Sequence, residues 1–180
     1  SFNGNKIITT GGGGALITNN LDYATLAKKL STTAKIPHKW ELSHDQIAWN
    51  DRMPNINAAL GVSQLENIKN IIDKKIQLKK KYKFAFKGMD FVEILDCPEN
   101  CIENNWLVTL RFKGNNIDEI KSYRDKLLNL ANSKGLLLRP AWQLLNSLNF
   151  YKNMPSSSTK VSQNEVQRLI NLPSSPKYGL

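Results

Sequence analysis

The longest helical pattern in the chain follows Asn55. Six apolar residues between Ile56 and Ile76 lie mostly three or four positions apart, with one step of five. That spacing is typical of one face of an α-helix. Gly88 is a residue type that commonly follows the last turn of a helix. The pattern therefore predicts one long helix from residue 55 to about residue 87.

Shorter elements are predicted before this helix. Residues 13–19 are typical of a short buried strand closed by a turn, and residues 22–31 of a helix with Asp22 as its cap. Residues 32–55 lack clear periodicity and contain two prolines, which predicts a long loop. A loop of that length in a compact domain usually has a function or reaches onto a neighbour.

The second half predicts alternating strands and helices. Asn116 is a suitable cap for a helix that stops near Gly135, and Ser162 and Glu165 have the spacing of a capping box. The predicted order is a strand at 91–95, a strand at 106–112, a helix from 116, a strand at 136–138 and a last helix near 162. That order predicts a small α/β domain with a mixed or antiparallel sheet.

The chain carries a net charge of +10, and eight of its lysines lie within residues 69–87 beside a single acid, Asp73. Such a run admits a nucleic-acid-binding module. Phosphate forks and base-stacking platforms usually draw on arginine and exposed aromatic residues, and the run has no arginine. A solvated helix face is therefore favoured, and no nucleic-acid partner is predicted.

Cys97 and Cys101 are the two cysteines, and His38 and His44 are the two histidines. A zinc site needs about four such ligands in closed geometry, so no metal is predicted. Two free thiols indicate a reducing compartment. No apolar run approaches the roughly 18 residues that a membrane span requires, and no signal peptide is recognised. These patterns predict no membrane partner.

Lys6 carries the candidate chemistry. It follows a Gly/Asn turn and precedes an Ile/Thr stretch and four glycines at 11–14. A desolvated lysine loses its proton readily and can form a Schiff base with an aldehyde cofactor. From these residues alone, a solvated surface lysine is the alternative.

Residues 1–14, Ser-Phe-Asn-Gly-Asn-Lys-Ile-Ile-Thr-Thr-Gly-Gly-Gly-Gly, resemble the cofactor-lysine motif of the DegT-type nucleotide-sugar aminotransferases. These are pyridoxal-phosphate (PLP) enzymes of fold type I. The segment is most similar to the branch that aminates 4-keto-6-deoxy-N-acetylhexosamine nucleotides, as in legionaminic-acid and bacillosamine-type pathways. Gly12 stands where most relatives have Glu, a departure typical of that branch. The resemblance implies that Lys6 binds PLP covalently and transfers the proton.

A second resemblance covers residues 49–66, which are similar to the family block Asn-Tyr-Arg-Met-Pro-Asn-x-x-Ala-Ala-x-Gly. It implies that Asn50 contacts the PLP phosphate of the other subunit. It also makes Arg52 a candidate for binding the carboxylate of the amino donor, a task that suits a guanidinium fork. Asp51 replaces the family Tyr between them. Read structurally, the same residues are a loop that starts a helix.

The third and fourth resemblances lie near the end of the chain. Arg139-Pro140-Ala141-Trp142 is similar to a family segment that faces the nucleotide sugar. It implies that Arg139 pairs with the diphosphate and that Trp142 packs on the sugar or base, whereas a structural reading makes Trp142 core. Asn146 stands where the family has His. Residues 168–175 resemble the closing family segment.

Together these resemblances imply the C-terminal portion of a fold type I PLP-dependent transferase, an α/β fold. Residues 1–55 would end the large cofactor domain, 56–88 would be a linking helix, and 89–180 would be the small α/β domain. The implied enzyme is a cytoplasmic homodimer that converts a UDP-4-keto-6-deoxy-N-acetylhexosamine to its 4-amino sugar with glutamate as donor. Other family cofactor contacts precede the lysine, so the chain alone is expected to bind PLP weakly. The alternative is a non-catalytic remnant or a dimerisation scaffold.

Overall fold

The computed structural model describes residues 1–179. The helices in this range are α1 (Leu21–Ser31), α2 (Asn55–Glu66), α3 (Ile68–Ala85), α4 (Ile117–Ser133) and α5 (Lys160–Glu165). The strands are β1 (Val92–Ile94), β2 (Val108–Phe112), β3 (Arg139–Pro140) and β4 (Leu169–Leu172). The chain forms two compact units, Ser1–Lys69 and a second that begins at Asn70. Within the described range, no helix has the length and apolar character that a membrane span needs.

The second unit is built on a four-stranded sheet with the order β1-β2-β4-β3. All three strand pairs are antiparallel, and Leu110 lies opposite both Ile94 and Ile170. Side chains alternate across a strand, and on β2 this buries Val108, Leu110 and Phe112 on one face. Residues from α3 and α4 complete this core, among them Tyr82, Ile120, Leu127 and Ala131. The predicted α/β fold class with an antiparallel sheet is confirmed.

Of the four strands predicted from the sequence, two are confirmed and two are wrong. The strands expected at 91–95 and 106–112 are confirmed as β1 and β2. The strand expected at 136–138 is wrong, because pairing with β4 begins only at Arg139. The buried strand expected at 13–19 is also wrong: no strand within the described residues pairs with it, and Ile17 is 92% exposed. A strand needs the hydrogen bonds of a neighbour, which sequence periodicity does not supply.

The single helix predicted over 55–87 is two helices, α2 and α3, separated at Asn67. The backbone N–H of Asn67 bonds to the carbonyl oxygen of Leu65 instead of continuing the helical ladder. Asparagine competes with the helical backbone through its own side chain, so it favours helix ends. The step of five between Leu60 and Leu65 had already departed from the helical spacing.

Two caps also differ from the sequence pattern. Asn20, not Asp22, caps α1, and its side chain accepts a hydrogen bond from the N–H of Tyr23 at 3.1 Å. Ser162 lies inside α5, so the predicted capping box is wrong. The cap of α4 is confirmed, since the Asn116 side chain accepts from the N–H of Glu119.

The lysine run is only partly a solvated face. Lys75 and Lys79 are buried, at 4% and 7% exposure. The Lys75 ammonium donates to the carbonyl oxygens of Trp106 at 3.0 Å and Ser174 at 2.6 Å, and burial lowers its pKa. Burial also disfavours the charged form of Lys79, but hydrogen bonds and charges from Glu103 and Asp96 outweigh it and raise its pKa. The charges of these two lysines therefore make hydrogen bonds and ion pairs within the second unit.

Candidate active site

Lys6 lies in a loop that closes on itself. The N–H of Lys6 donates to the carbonyl oxygen of Asn3 at 3.0 Å, which makes the turn expected from the Gly/Asn sequence. At the base of the loop, the N–H of Phe2 donates to Gly13 at 2.9 Å and the N–H of Thr10 donates to Phe2 at 3.1 Å. The Lys6 side chain is half-buried. These contacts hold the lysine backbone in one place.

The backbone conformation explains why two of the positions after Lys6 are glycines. Gly11 and Gly13 adopt φ angles of 79° and 84°, in the left-handed region where a side chain is strained. A Cβ on Gly13 would also come within 3.3 Å of the Met53 side chain. The Thr9 hydroxyl accepts from the N–H of Gly11 at 2.9 Å and donates to the carbonyl oxygen of Phe2 at 3.0 Å. The lysine loop thus packs against the segment that precedes α2.

Helix α2 supports the other side of this loop. The side-chain amide of Asn57 donates to the carbonyl oxygen of Thr10 at 2.5 Å. One turn later, a Cβ on Gly61 would lie 2.9 Å from the Thr10 methyl group, so the two segments are in close contact. Thr10 is only 2% exposed. Asn57 and Gly61 share one helix face because they are four residues apart.

Asn50 and Arg52 follow a long arm that returns to the end of α1. Asn50 forms a bridge with Thr32, and the N–H of Asp51 donates to the carbonyl oxygen of Ser31 at 2.9 Å. The side chains of Asn50 and Arg52 are exposed, and neither makes a hydrogen bond or ion pair to another residue within 1–179. Both are therefore available to a ligand or to another chain.

The arm itself, residues 33–49, has more structure than the predicted loop. Lys35 and His44 form a second bridge, and the ring Nδ1 of His44 lies 2.7 Å from the carbonyl oxygen of Thr33. Lys29 of α1 forms an ion pair with Asp45. The tip still exposes large apolar groups, among them Trp40 at 80%.

Arg139 and Trp142 belong to the second unit. Arg139 pairs with Asn171 in the sheet, and its side chain is exposed. Trp142 is 70% exposed, so the reading that makes it core is wrong. Its ring centroid lies 5.8 Å from that of Trp106, and the two rings form an aromatic pair. The two tilted rings form an aromatic surface, and Arg139 lies three positions before Trp142 in the sequence. An aromatic face suits a sugar or base, and a guanidinium group suits a phosphate.

The five candidate residues therefore fall into two groups. Lys6, Asn50 and Arg52 lie in the first unit, while Arg139 and Trp142 lie in the second. Their catalytic and binding roles stay predictions. Sequence reasoning missed Asn57, Gly61 and Trp106 as supports of the site. For Gly61 a signal was available, because a glycine inside a helical pattern is unfavourable by itself and often has a packing reason.

The chemistry of the donor set fits PLP in part. Lys6 offers a primary amine for the aldehyde, Asn50 an amide donor for the phosphate, and Arg52 a cation for a carboxylate. Residues 1–14 contain no acid that would pair with the pyridine nitrogen. The chemistry of Lys6 and Asn50 is thus suited to the aldehyde and the phosphate of the cofactor, respectively.

The family model of the DegT/DnrJ/EryC1/StrS aminotransferases matches residues 1–179. EpsN of Bacillus subtilis, which its name places among pyridoxal phosphate-dependent aminotransferases, is 34% identical over 147 residues, covering 82% of this chain and 36% of EpsN. GDP-perosamine synthase of Vibrio cholerae is 28% identical over 179 residues, covering 98% of this chain and 47% of the synthase.

Solved structures agree in fold. PseC of Helicobacter pylori, an aminotransferase involved in the biosynthesis of pseudoaminic acid, matches with a TM-score of 0.88 at 21% identity. The match covers 98% of this chain and 47% of PseC. The fold is thus that of part of a fold type I transferase. The chain spans less than half the length of the curated relatives described here.

Proposed function

The chain belongs to the DegT/DnrJ/EryC1/StrS aminotransferase family, and from this premise we propose that it supplies the cofactor-lysine part of a PLP-dependent nucleotide-sugar aminotransferase. The observation that carries the proposal is the Lys6 loop, which is closed by Phe2 and Gly13 and supported by Asn57 on α2. A catalytic amine must be held in position while it moves a proton, and this loop does so.

Each candidate residue has a role in the proposal. Lys6 would hold the cofactor through its amine and, once freed, would take the proton from the α-carbon of the amino donor. Asn50 donates to the cofactor phosphate, and in a homodimer that phosphate belongs to the other subunit. Arg52 binds the carboxylate of the amino donor as a fork. PLP, when bound, supplies the electron sink for the reaction.

The proposed substrate is a nucleotide-linked keto sugar. Arg139 pairs with its diphosphate, and Trp142, beside Trp106, packs on the sugar or the base. The form of residues 1–14, with Gly12, supports a UDP-4-keto-6-deoxy-N-acetylhexosamine as acceptor and glutamate as donor. The relative in Vibrio cholerae is named for a nucleotide sugar, GDP-perosamine, which supports the substrate class.

The proposal includes a cytoplasmic homodimer and the rest of the family fold. Leu16 and Ile17 are 70% and 92% exposed although their sequence has the character of a buried strand. Burial of such apolar surface is favourable, so we propose that the remainder of the fold or a second copy covers it. The proposed division is 1–55, 56–88 and 89–180, as the resemblance implies. Lys75 and Lys79 are engaged internally, which weighs against a nucleic-acid partner.

The test is borohydride trapping after addition of PLP, followed by peptide mapping. It is made on this chain and on a protein restored with the remaining half of a family member, each with Lys6→Arg as a control. We expect a pyridoxyl adduct on Lys6 in the restored protein, little or none in the chain alone, and none in Lys6→Arg. An absence of adduct in a folded restored protein would favour the non-catalytic remnant.

A further inference from the structure

Ion pairs hold both ends of the loop formed by residues 96–103 against α3. The ammonium group of Lys79 pairs with Asp96 at 3.0 Å and also with Glu103, and Lys83 pairs with Asp96 as well. Lys79 is only 7% exposed. Separating a buried cation from its partners leaves an uncompensated charge, which is costly. Because one ammonium group contacts both carboxylates, the two ends of the loop stay close together.

Cys97 and Cys101 lie on one turn inside this loop. The N–H of Cys101 donates to the carbonyl oxygen of Pro98 at 2.9 Å, and the Cys97 thiol donates to the carbonyl oxygen of Cys101 at 3.2 Å. The Cys97 sulfur therefore lies against the backbone of the residue that carries the second thiol. Cys97 is half-buried and Cys101 is exposed. Formation of a disulfide requires the Cys101 side chain to turn towards the Cys97 sulfur.

We propose that Cys97 and Cys101 are a reversible thiol–disulfide site that reacts with low-molecular-weight disulfides of the glutathione type. The exposed Cys101, as thiolate, attacks one sulfur of the oxidant, the S–S bond breaks, and one glutathione leaves. The Cys97 thiolate then attacks the Cys101 sulfur, forms the intramolecular bond and releases the second glutathione. Two protein thiols thereby give two electrons and two protons to one small disulfide, which becomes two thiols.

The fixed loop ends make the second step favourable. Closing a loop costs conformational entropy, and the cost is smaller when the chain is already turned and its ends are already held. In a loop without these ion pairs, the mixed disulfide on Cys101 would persist longer. The contact between Lys79 and Glu103 should therefore raise the equilibrium constant for the intramolecular disulfide.

The test equilibrates the 180-residue chain in a series of reduced and oxidised glutathione mixtures near neutral pH. Acid quenching, alkylation and mass spectrometry then count free thiols, mixed disulfides and the intramolecular bond. We expect a bond between Cys97 and Cys101 with little mixed disulfide. Cys97→Ser should instead accumulate one glutathione adduct on Cys101.

Glu103→Gln tests the contribution of the ion pair between Lys79 and Glu103, and Glu99→Gln is the matched control. Glu99 is an exposed carboxylate between the two cysteines and has no ion pair among residues 1–179. We expect Glu103→Gln to lower the equilibrium constant for the intramolecular disulfide about three- to fivefold, because one end of the loop is released from Lys79. We expect Glu99→Gln to change this constant less than about twofold.

Far-UV circular dichroism confirms that each variant is folded. If the wild-type chain keeps both thiols, or forms only mixed disulfides with glutathione, the proposed thiol–disulfide site is wrong. Equal equilibrium constants for the Cys97–Cys101 disulfide in Glu103→Gln and Glu99→Gln would contradict a role of the Lys79–Glu103 ion pair. If Glu103→Gln fails to fold, the wild-type chain and Cys97→Ser still decide whether the site exists.

Discussion

The side-chain amide of Asn57 donates a hydrogen bond to the carbonyl oxygen of Thr10 at 2.5 Å, across 47 positions of sequence. This bond joins the first turn of α2 to the loop that carries Lys6. Thr10 is 2% exposed, so water does not readily replace the amide as its partner. The position of the lysine loop thus depends on a residue that no catalytic motif would single out.

We expect Asn57→Ala to loosen the Lys6 loop, because the Thr10 carbonyl group loses its partner at a cost of about 1 to 3 kcal/mol. Hydrogen exchange of the amides of Phe2 and Thr10, which close the loop, should become faster. Asn55→Ala, an exposed change at the start of the same helix, should leave that exchange unchanged. Unchanged exchange in Asn57→Ala would mean that the glycine turns alone hold the loop.

We expect Gly61→Ala to destabilise the first unit even though alanine is the better helix former. Its Cβ would lie 2.9 Å from the Thr10 methyl group, and such overpacking typically costs about 1 to 3 kcal/mol. The gain in helix propensity is at most about 1 kcal/mol. Urea unfolding followed by fluorescence measures the difference. Gly12→Ala, with no atom within 4 Å, is the control. A stabilised Gly61→Ala variant would contradict the close contact.

We expect Lys75→Met to lose about 2 to 3 kcal/mol of the free energy of unfolding near neutral pH, because two partly buried carbonyl groups lose a charged donor. Lys80→Met, an exposed change on the same helix, should have little effect. An equally small loss in both variants would show that Trp106 and Ser174 find other partners.

The same substitution has a predicted pH dependence. Burial lowers the pKa of Lys75 below its ordinary 10.5, so the unfolded chain binds more protons than the folded one between the two values. The stability of the wild type relative to Lys75→Met should therefore increase as pH rises through the folded pKa towards 10.5. Parallel unfolding curves over that pH range would contradict a perturbed lysine.

Glu165 predicts the same direction of pH dependence as Lys75, but in the acid range. Two hydrogen bonds from the Arg111 guanidinium, at 2.6 and 2.7 Å, hold the pKa of Glu165 below its usual 4.5. This stabilisation is present above pH 4.5 and is lost as pH falls through the folded pKa. Glu165→Gln should cost about 1 to 2 kcal/mol at neutral pH and less in acid. Glu99→Gln is the control, and a pH-independent loss would contradict the ion pair.

Local signals in the sequence were sufficient for several elements. Asn116 caps α4 as predicted, because capping depends on residues within one turn. The alternation in 108–112 was sufficient to place β2, since one face of that strand is buried and the other carries Arg111. The family was recognisable because residues 1–14 must form a lysine loop with glycines at left-handed φ. Each of these features rests on nearby residues.

The sequence by itself thus determined the family and the α/β class and singled out Lys6 as the candidate cofactor lysine, while other features were decided by the tertiary structure. The burial of Lys75 depends on carbonyl oxygens 31 and 99 positions away. The place of β4 depends on strands that come from other parts of the chain. Asn57 supports the lysine loop only because α2 packs on it. Periodicity and propensity describe neighbours in sequence, and a hydrogen bond or a buried charge is stabilised only where distant segments meet.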